Sequence, residues 1–403
     1  MAPPAVRSRT GPPPESFDVT VTAFPIGLLI STAGPYAEAS TGMLAGALLA
    51  VEAVNAGPLP VRLVPRFGDP RGELARYAAL GDEMLAAGVR HVVGCYTSSS
   101  RKEIIPQFEK ADALLWYPSH YEGFESSPNV VYTGPVANQH LLPLADYLVR
   151  HVGQTAFCVG SNYIWAWENN RVMRDAMAAA GGTVLAERYF AVGSTDFDQV
   201  IAAILAERPA FVFNTLIGVS SYRFVRDLRA ACGRRGLDQP AVLPVASCTL
   251  SEPELAAIGP GAMDGHITSS VYFASLASPE NDRFRAAYAA RHPGGPAVSA
   301  DAEATYVAVM LLAQALAAAG TDEIGAVKAA VGRQVLRAPG GEVAIDPETM
   351  HAALTPRIGR SNAAGQFDIL AEAPAPVRAD PYLIGSASRF GALAPRPRLR
   401  IAS

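Results

Sequence analysis

Short apolar runs alternate with longer stretches whose apolar positions recur at helical spacing, and the alternation occurs twice along the chain. FPIGLLI (24–30), VRLVPRF (61–67), HVVGCY (91–96), ALLWYP (113–118) and VVYTG (130–134) read as strands. Helical stretches at 37–55, 71–87 and 99–110 lie between the first four. A helix over 138–151, with Pro143 near its start, opens the second series. Its strands are TAFCVGS (155–161), TVLAERYFAV (183–192), FVFNTL (211–216), AVLPVAS (241–247) and HITSSVYF (266–273), and its helices fall at 168–180, 196–207, 220–235 and 252–258. Three more helices are predicted at 280–291, 300–319 and 323–331, before strands and turns around Gly365. Strand–helix alternation of this kind predicts parallel sheets covered on both faces. The fold class is therefore α/β with two Rossmann-like lobes, divided near 134–138.

Composition narrows the function. Of 403 residues, 50% are hydrophobic and only 17% charged, below the roughly 25% typical of soluble domains. That suits two large cores. The net charge of −4 comes with no basic run, which argues against direct nucleic-acid binding. Cys95, Cys158, Cys232 and Cys248 are far apart, with no C-x-x-C and no zinc-like spacing, so they read as buried free thiols and no metal is expected. Residues 1–17 are Pro-rich and polar and read as a disordered tail, and 386–403 read as a C-terminal tail. The first apolar run contains Pro25 and lacks the basic flank and cleavage site of a secretion signal. No run is read as reaching the ~20 residues of a membrane span. No membrane insertion and a cytoplasmic location are expected, with a periplasmic one if the start codon is mis-assigned.

Motifs of catalysis are missing. No G-x-G-x-x-G follows a strand, and there is no P-loop, H-E-x-x-H or G-x-S-x-G. Ser119 and His120 are adjacent, so their side chains diverge and make a poor nucleophile–base pair. Asp69 and Glu122 read as caps, turn formers or ion-pair members. Neither an enzyme nor a cofactor is indicated.

The strand ends carry a different signal. They read Ser31-Thr32, Tyr96-Thr97-Ser98 and Tyr117-Pro118-Ser119-His120 in the first series. In the second they read Ser161-Asn162-Tyr163-Ile164-Trp165, Asn214-Thr215 and Ser247-Cys248-Thr249. Ligands of open α/β sheets bind at such carboxyl ends. The set holds hydroxyls, amides and rings, with no Arg or Lys directly at the ends and no Asp or Glu squarely there. It predicts a small, neutral, polar ligand enclosed by rings.

At these residues the chain resembles a known family. VGCYTSSSRKEIIP, ADALLWYPSHYEGFESSPNVVYTGP, GSNYIWAWENNRVMR and TPRIGR with GQFDI are similar to the amide- and urea-binding branch of type I periplasmic-binding-protein-like proteins. Within that branch the likeness is greatest to amide-sensing negative regulators of aliphatic amidase expression, over roughly residues 24 to 384. The resemblance implies two lobes joined by a three-segment hinge. They would comprise 18–135 plus about 270–335, and 136–269 plus about 336–385. It implies a ligand held by Tyr96, Ser98, Tyr117, Ser119 and Tyr163, with His120, Trp165 and Thr249 as further walls. Ser119 stands where those regulators have threonine, His120 where they have proline, and Trp165 where they have tyrosine. Those changes widen the expected ligands from acetamide to urea, a larger amide or another neutral compound. The function implied is a sensor that sequesters an RNA-binding antiterminator until an amide binds, and a homodimer is compatible with it. The alternative is the solute receptor of an ATP-driven importer for urea, short-chain amides or branched-chain amino acids.

Overall fold

Two sheets, each sandwiched by helices, are built from the two series. The computed structural model describes residues 21–295, 297–386 and 400–401. The tails expected at 1–17 and 386–403 fall outside these, apart from Ser386 and the pair at 400–401.

The first half runs β1 (Thr22–Leu29), α1 (Ala37–Ala56), β2 (Val61–Gly68), α2 (Leu74–Ala86), β3 (His91–Gly94), α3 (Ser98–Lys110), β4 (Leu114–Tyr117) and β5 (Val130–Tyr132). The second runs α4 (Leu141–His151), β6 (Thr155–Ser161), α5 (Ile164–Ala179), β7 (Thr183–Phe190), α6 (Asp198–Glu207), β8 (Phe211–Thr215), α7 (Val219–Gly233), α8 (Gln239–Val242), β9 (Val245–Ser247), α9 (Glu252–Ile258) and β10 (Ile267–Ser270). The chain then adds α10 (Pro279–Arg291), α11 (Ala300–Ala319), α12 (Ile324–Val331), β11 (Val335–Ala338), β12 (Gly341–Ile345), β13 (Ala352–Ala353), β14 (Arg357–Ser361), β15 (Phe367–Glu372) and β16 (Arg400–Ile401).

The first sheet is parallel, in the order β2-β1-β3-β4-β5. Its strands are apolar runs because both faces are buried. In β4, Leu114 and Trp116 point into the core shared with α1 and α11, while Leu115 and Tyr117 point into the core shared with α2 and α3. The second sheet, β16-β15-β14-β10-β9-β8-β6-β7, is parallel from β7 to β10 and antiparallel beyond. In each sheet the chain reverses its direction of growth once, between β1 and β3 and between β6 and β8. Those switch points open a crevice at the strands' carboxyl ends.

Three features depart from the sequence reading. α1 and α11 are each 20 residues long and apolar enough to cross a membrane by length and composition, although no run was expected to be. Most of each is buried, because the two helices pack on each other in the first-lobe core. Gly46 permits that approach, since a Cβ there would lie 2.0 Å from the Ala302 carbonyl oxygen. α2 starts at Leu74 rather than at 71, because Arg71 adopts a left-handed φ of 54°. Asp69 accepts from the Thr32 and Arg71 amides at 3.1 and 2.8 Å there and pins the turn.

The third departure is where the chain rejoins the second lobe. Leu336, Val343, Ile345, Met350 and Leu354 of the β11–β13 segment are buried in the first-lobe core rather than the second. The return is made at β14, which pairs with β10. The hinge crossings are tied together by Gln139, which is fully buried and donates to the Ala352 and Val377 carbonyls at 2.9 and 2.7 Å.

Candidate functional site

The site begins at the end of β3. Gly94 lies against the Leu29 carbonyl, where a Cβ would sit 2.2 Å from the oxygen. Cys95 follows in the left-handed region at φ 64° and donates its amide to Leu29 O at 3.1 Å. This sharp corner turns Tyr96 toward the crevice and starts α3. Thr97 caps the helix, its Oγ1 accepting from the Ser100 amide at 3.1 Å. The first-turn amides of Ser98 and Ser99 have no acceptor within the helix.

Behind that turn lies a charge network. Arg101 is fully buried. Its Nε donates to Glu125 Oε1 at 2.7 Å, its Nη2 to Glu122 Oε1 at 3.4 Å and its Nη1 to Ser98 Oγ at 3.3 Å. Ser98 Oγ itself donates to Glu122. The guanidinium also rests on the Tyr117 and Tyr121 rings, 4.7 and 4.5 Å from their centroids. Burial opposes ionisation of Glu125, yet Arg101 and Lys102 hold its carboxyl below the usual range. A cation thus does stand close behind a strand end, contrary to the expectation, but two carboxylates neutralise it. Glu122 is an ion-pair member, as the sequence suggested.

Tyr117 and Ser119 brace this corner. Tyr117 donates its hydroxyl to Tyr96 O at 3.0 Å, and Ser119 Oγ donates to Cys95 O at 3.3 Å. Both protons are therefore spent on the backbone that carries Tyr96.

The remaining rings form a row across the two lobes. Tyr36 stacks on Tyr96 at 5.1 Å between centroids. Tyr96 meets the edge of His120 at 6.3 Å, and His120 meets Trp165 of the second lobe at 5.2 Å. Trp165 stacks on Tyr163 at 6.2 Å. α5 begins at Ile164, earlier than the 168 expected, because Tyr163 is extended and acts as its N-cap. Trp165 is thereby carried on a rigid helix rather than a loop. His120 and Tyr163 keep some accessible surface, yet burial drives the His120 ring down to about 3 and the Tyr163 phenol well above 10.

Two polar atoms beside His120 are unsatisfied. Trp165 Nε1 is buried without an acceptor among the described residues. His140, 6.1 Å from His120 between centroids, bonds Tyr121 O through Nε2 at 3.3 Å. Burial lowers its pKa to about 4, so the ring is neutral, and a carbonyl partner assigns the proton to Nε2. Its Nδ1 is then a bare acceptor, buried and unpartnered. One orphan donor and one orphan acceptor match an amide-like group. Thr249 stands apart: it bonds Ser247, Oγ1 to Oγ at 3.0 Å, and no bond or ring contact joins it to the row among the described residues.

The sequence also missed a group of acids. Glu252 and Glu254 of α9, from the second lobe, and Asp301 of α11, from the first, are all buried. Glu254 accepts from Tyr222 OH at 3.2 Å and from the Ser251 amide at 2.9 Å. Glu252 accepts from the Ala274 amide at 2.8 Å. Burial raises Asp301 to about 7, and burial together with Asp301 raises Glu254 to about 8. The Tyr96 phenol is pushed well above 10 by burial and then by Asp301 and Glu254. The S-x-x-E of Ser251–Glu254 reads as a helix start, and so does Asp301 two residues after Ser299, which conceals both.

Comparison with known proteins places this architecture. A solute-binding protein of an ABC transporter from Rhodopseudomonas palustris, solved with p-hydroxybenzoic acid, matches with a TM-score of 0.80 at 20% identity, over 90% of this chain and 100% of that one. An amino acid ABC transporter substrate-binding protein from Pseudomonas fluorescens matches at 0.75 and 17%, over 92% and 99%. A branched-chain amino acid transporter substrate-binding protein from Streptococcus pneumoniae, in complex with isoleucine, matches at 0.74 and 18%, over 86% and 98%. At these identities the likeness is one of fold. The family model described as periplasmic binding protein domain matches residues 24–387. With its two α/β lobes, hinge and crevice, the chain belongs to the type I periplasmic binding protein family.

Proposed function

We propose that this protein is a solute receptor that encloses a small polar ligand between its lobes and presents the closed form to a transporter. The carrying observation is the row Tyr96–His120–Trp165, which joins the lobes and leaves Trp165 Nε1 and His140 Nδ1 buried and unsatisfied. A carbonyl oxygen and an N–H from the ligand would satisfy both. Because the contacts come from both lobes, the ligand favours the closed arrangement over the open one. The receptors of similar fold that bind aromatic acids and amino acids support this reading. The site reads as a binder's site.

The amide-sensor reading rests on the same cleft. It is favoured by the motif residues Tyr96, Ser98, Tyr117, Ser119 and Tyr163, which the resemblance assigns to an amide ligand. In that reading the reader of closure is an RNA-binding antiterminator and the protein stays in the cytoplasm. In the receptor reading it works outside the inner membrane. Fractionation of the native host separates the two.

Thermal-shift and calorimetric titration against amides, ureas, amino acids and hydroxybenzoates tests the binding itself. At least one class is expected to raise the melting temperature. Trp165→Phe should then weaken that ligand by about 1–3 kcal/mol, the cost of an unmade buried hydrogen bond. No shift with any class would end the receptor reading.

A further inference from the structure

We infer that the protein carries a clasp of two direct lobe-to-lobe contacts outside the ring row, and that this clasp closes the lobes without any ligand. Ligand-driven hinge motion belongs to the receptor reading. The clasp goes beyond it, because protein atoms alone supply it.

The first contact is backbone on backbone. The turn between β8 and α7 of the second lobe docks on the loop between β1 and α1 of the first. Ile217 is 3% exposed and lies in the first-lobe apolar cluster that holds Tyr36 and Tyr96. Its own amide is anchored in the second lobe, donating to Ser161 Oγ at 3.2 Å. Val219 opens α7, so its N–H has no acceptor within the helix. It donates instead to Pro35 O of the first lobe at 3.2 Å. Between the two, Gly218 has φ 55°, and a Cβ there would lie 1.8 Å from the same carbonyl oxygen. A residue without a side chain is what lets the backbones come this close.

The second contact uses Phe124, in the YEGFE stretch that takes no part in the ring row. Glu122 and Glu125 fasten this stretch to Arg101. Phe124 is held at a left-handed φ of 58°, and its amide donates to Pro381 O at 2.7 Å. A bulky residue in that region is strained, and such strain persists where the surrounding structure uses it. The Phe124 side chain is 38% exposed, and Arg171 of α5, in the second lobe, lies over its ring at 4.9 Å from the centroid. Two acids on its own helix aim Arg171: Nε donates to Glu168 Oε2 at 2.9 Å and Nη1 to Asp175 Oδ2 at 3.0 Å. Those bonds occupy the edge of the guanidinium and leave its face to the ring. Each contact favours the closed arrangement whether or not the cleft is occupied.

Pulsed electron resonance on the full chain, stripped of carried-over ligand by unfolding and refolding, reads closure directly. One spin label sits on each lobe, at Glu83→Cys and Glu207→Cys, both exposed positions, while the four native cysteines are buried. With no ligand added, the label distances should contain a population at the separation that the closed structure sets. Gly218→Ala should abolish that population. Phe124→Gly suits φ 58° and removes only the ring, so the loop keeps its shape. It should lower the closed-to-open ratio about 2- to 5-fold, as an exposed cation–π contact implies. Arg171→Ala should cause the same fall, and the double variant no more than either single one. Thermal unfolding checks that each variant is folded. A labelled protein with no closed population, or Gly218→Ala with unchanged distances, would overturn the clasp. So would falls for Phe124→Gly and Arg171→Ala that multiply in the double variant. No ligand enters the measurement, so its outcome stands apart from the titrations that test the receptor reading.

Discussion

Arg101 and Asp301 are both buried charged residues in the first turns of helices beside the crevice, and they are treated oppositely. Around Arg101 every charge is answered: Glu122 and Glu125 accept from it, two tyrosine rings flank it, and Ser98 closes the circuit. The Asp301 carboxyl makes no hydrogen bond or ion pair among the described residues, and burial raises it to about 7. Removing water from a charge is expensive in either place. A charge satisfied within one lobe serves the shape of that lobe. One left without a partner lowers its cost by holding its proton instead.

The comparison breaks most readily at Arg101. Arg101→Leu strands Glu122 and Glu125 in the core and should cost about 3–5 kcal/mol of stability. Denaturant unfolding measures it, and a loss near zero would mean that the network is not structural. Asp301→Asn removes an unanswered charge and should leave stability unchanged or raised at neutral pH and above.

The next effect is a dependence on pH. Glu254 and Asp301 are raised to about 8 and about 7, so the folded protein holds protons that the unfolded chain has released. Stability contributed by these groups is present at low pH and is lost as pH rises through the folded values. His120 and His140, lowered to about 3 and about 4, act oppositely: their contribution grows up to the ordinary histidine value of 6.5 and is constant above it. The window between 6.5 and about 8 therefore isolates the acids. The melting temperature of the ligand-free protein should fall across that window, and Asp301→Asn should flatten the slope. A rise in the wild type would contradict the burial of these acids.

The smallest effect sharpens the picture within the first lobe. Ser119→Ala loses a hydrogen bond to Cys95 O and should cost about 0.5–1.5 kcal/mol. Its effect on ligand affinity should be smaller than that of Trp165→Phe. A larger loss of affinity would make Ser119 a ligand contact rather than a brace.

Much of the fold was legible because burial on both faces leaves a direct trace. β1, β3, β4, β6 and β8 are apolar runs, and such runs flanked by helices admit few arrangements. Strand ends were legible for the same reason, since a run that stops in Tyr-Thr-Ser or Asn-Tyr stops where the core stops. The row Tyr96–His120–Trp165 thus came from segments already singled out. What escaped had a local explanation that sufficed. Glu254 completes a capping box with Ser251, Asp301 lies in the first turn of a Ser-capped helix, and Arg101 sits among the polar residues of α3. The buried acids were hidden because they also make good helix starts.

Periodicity and composition by themselves determined two α/β lobes, the order of their strands along the chain, and a crevice rimmed with hydroxyls and rings. Those follow from local burial, which each segment records in its own pattern. Only the tertiary structure decided the electrostatic character of the crevice. Asp301 and Glu254 are distant in sequence, and each is buried and raised only because helices of the fold cover it, as where α11 packs on α1 through Gly46. Whether a charge is answered depends on what the fold brings beside it, and no pattern within one segment carries that information.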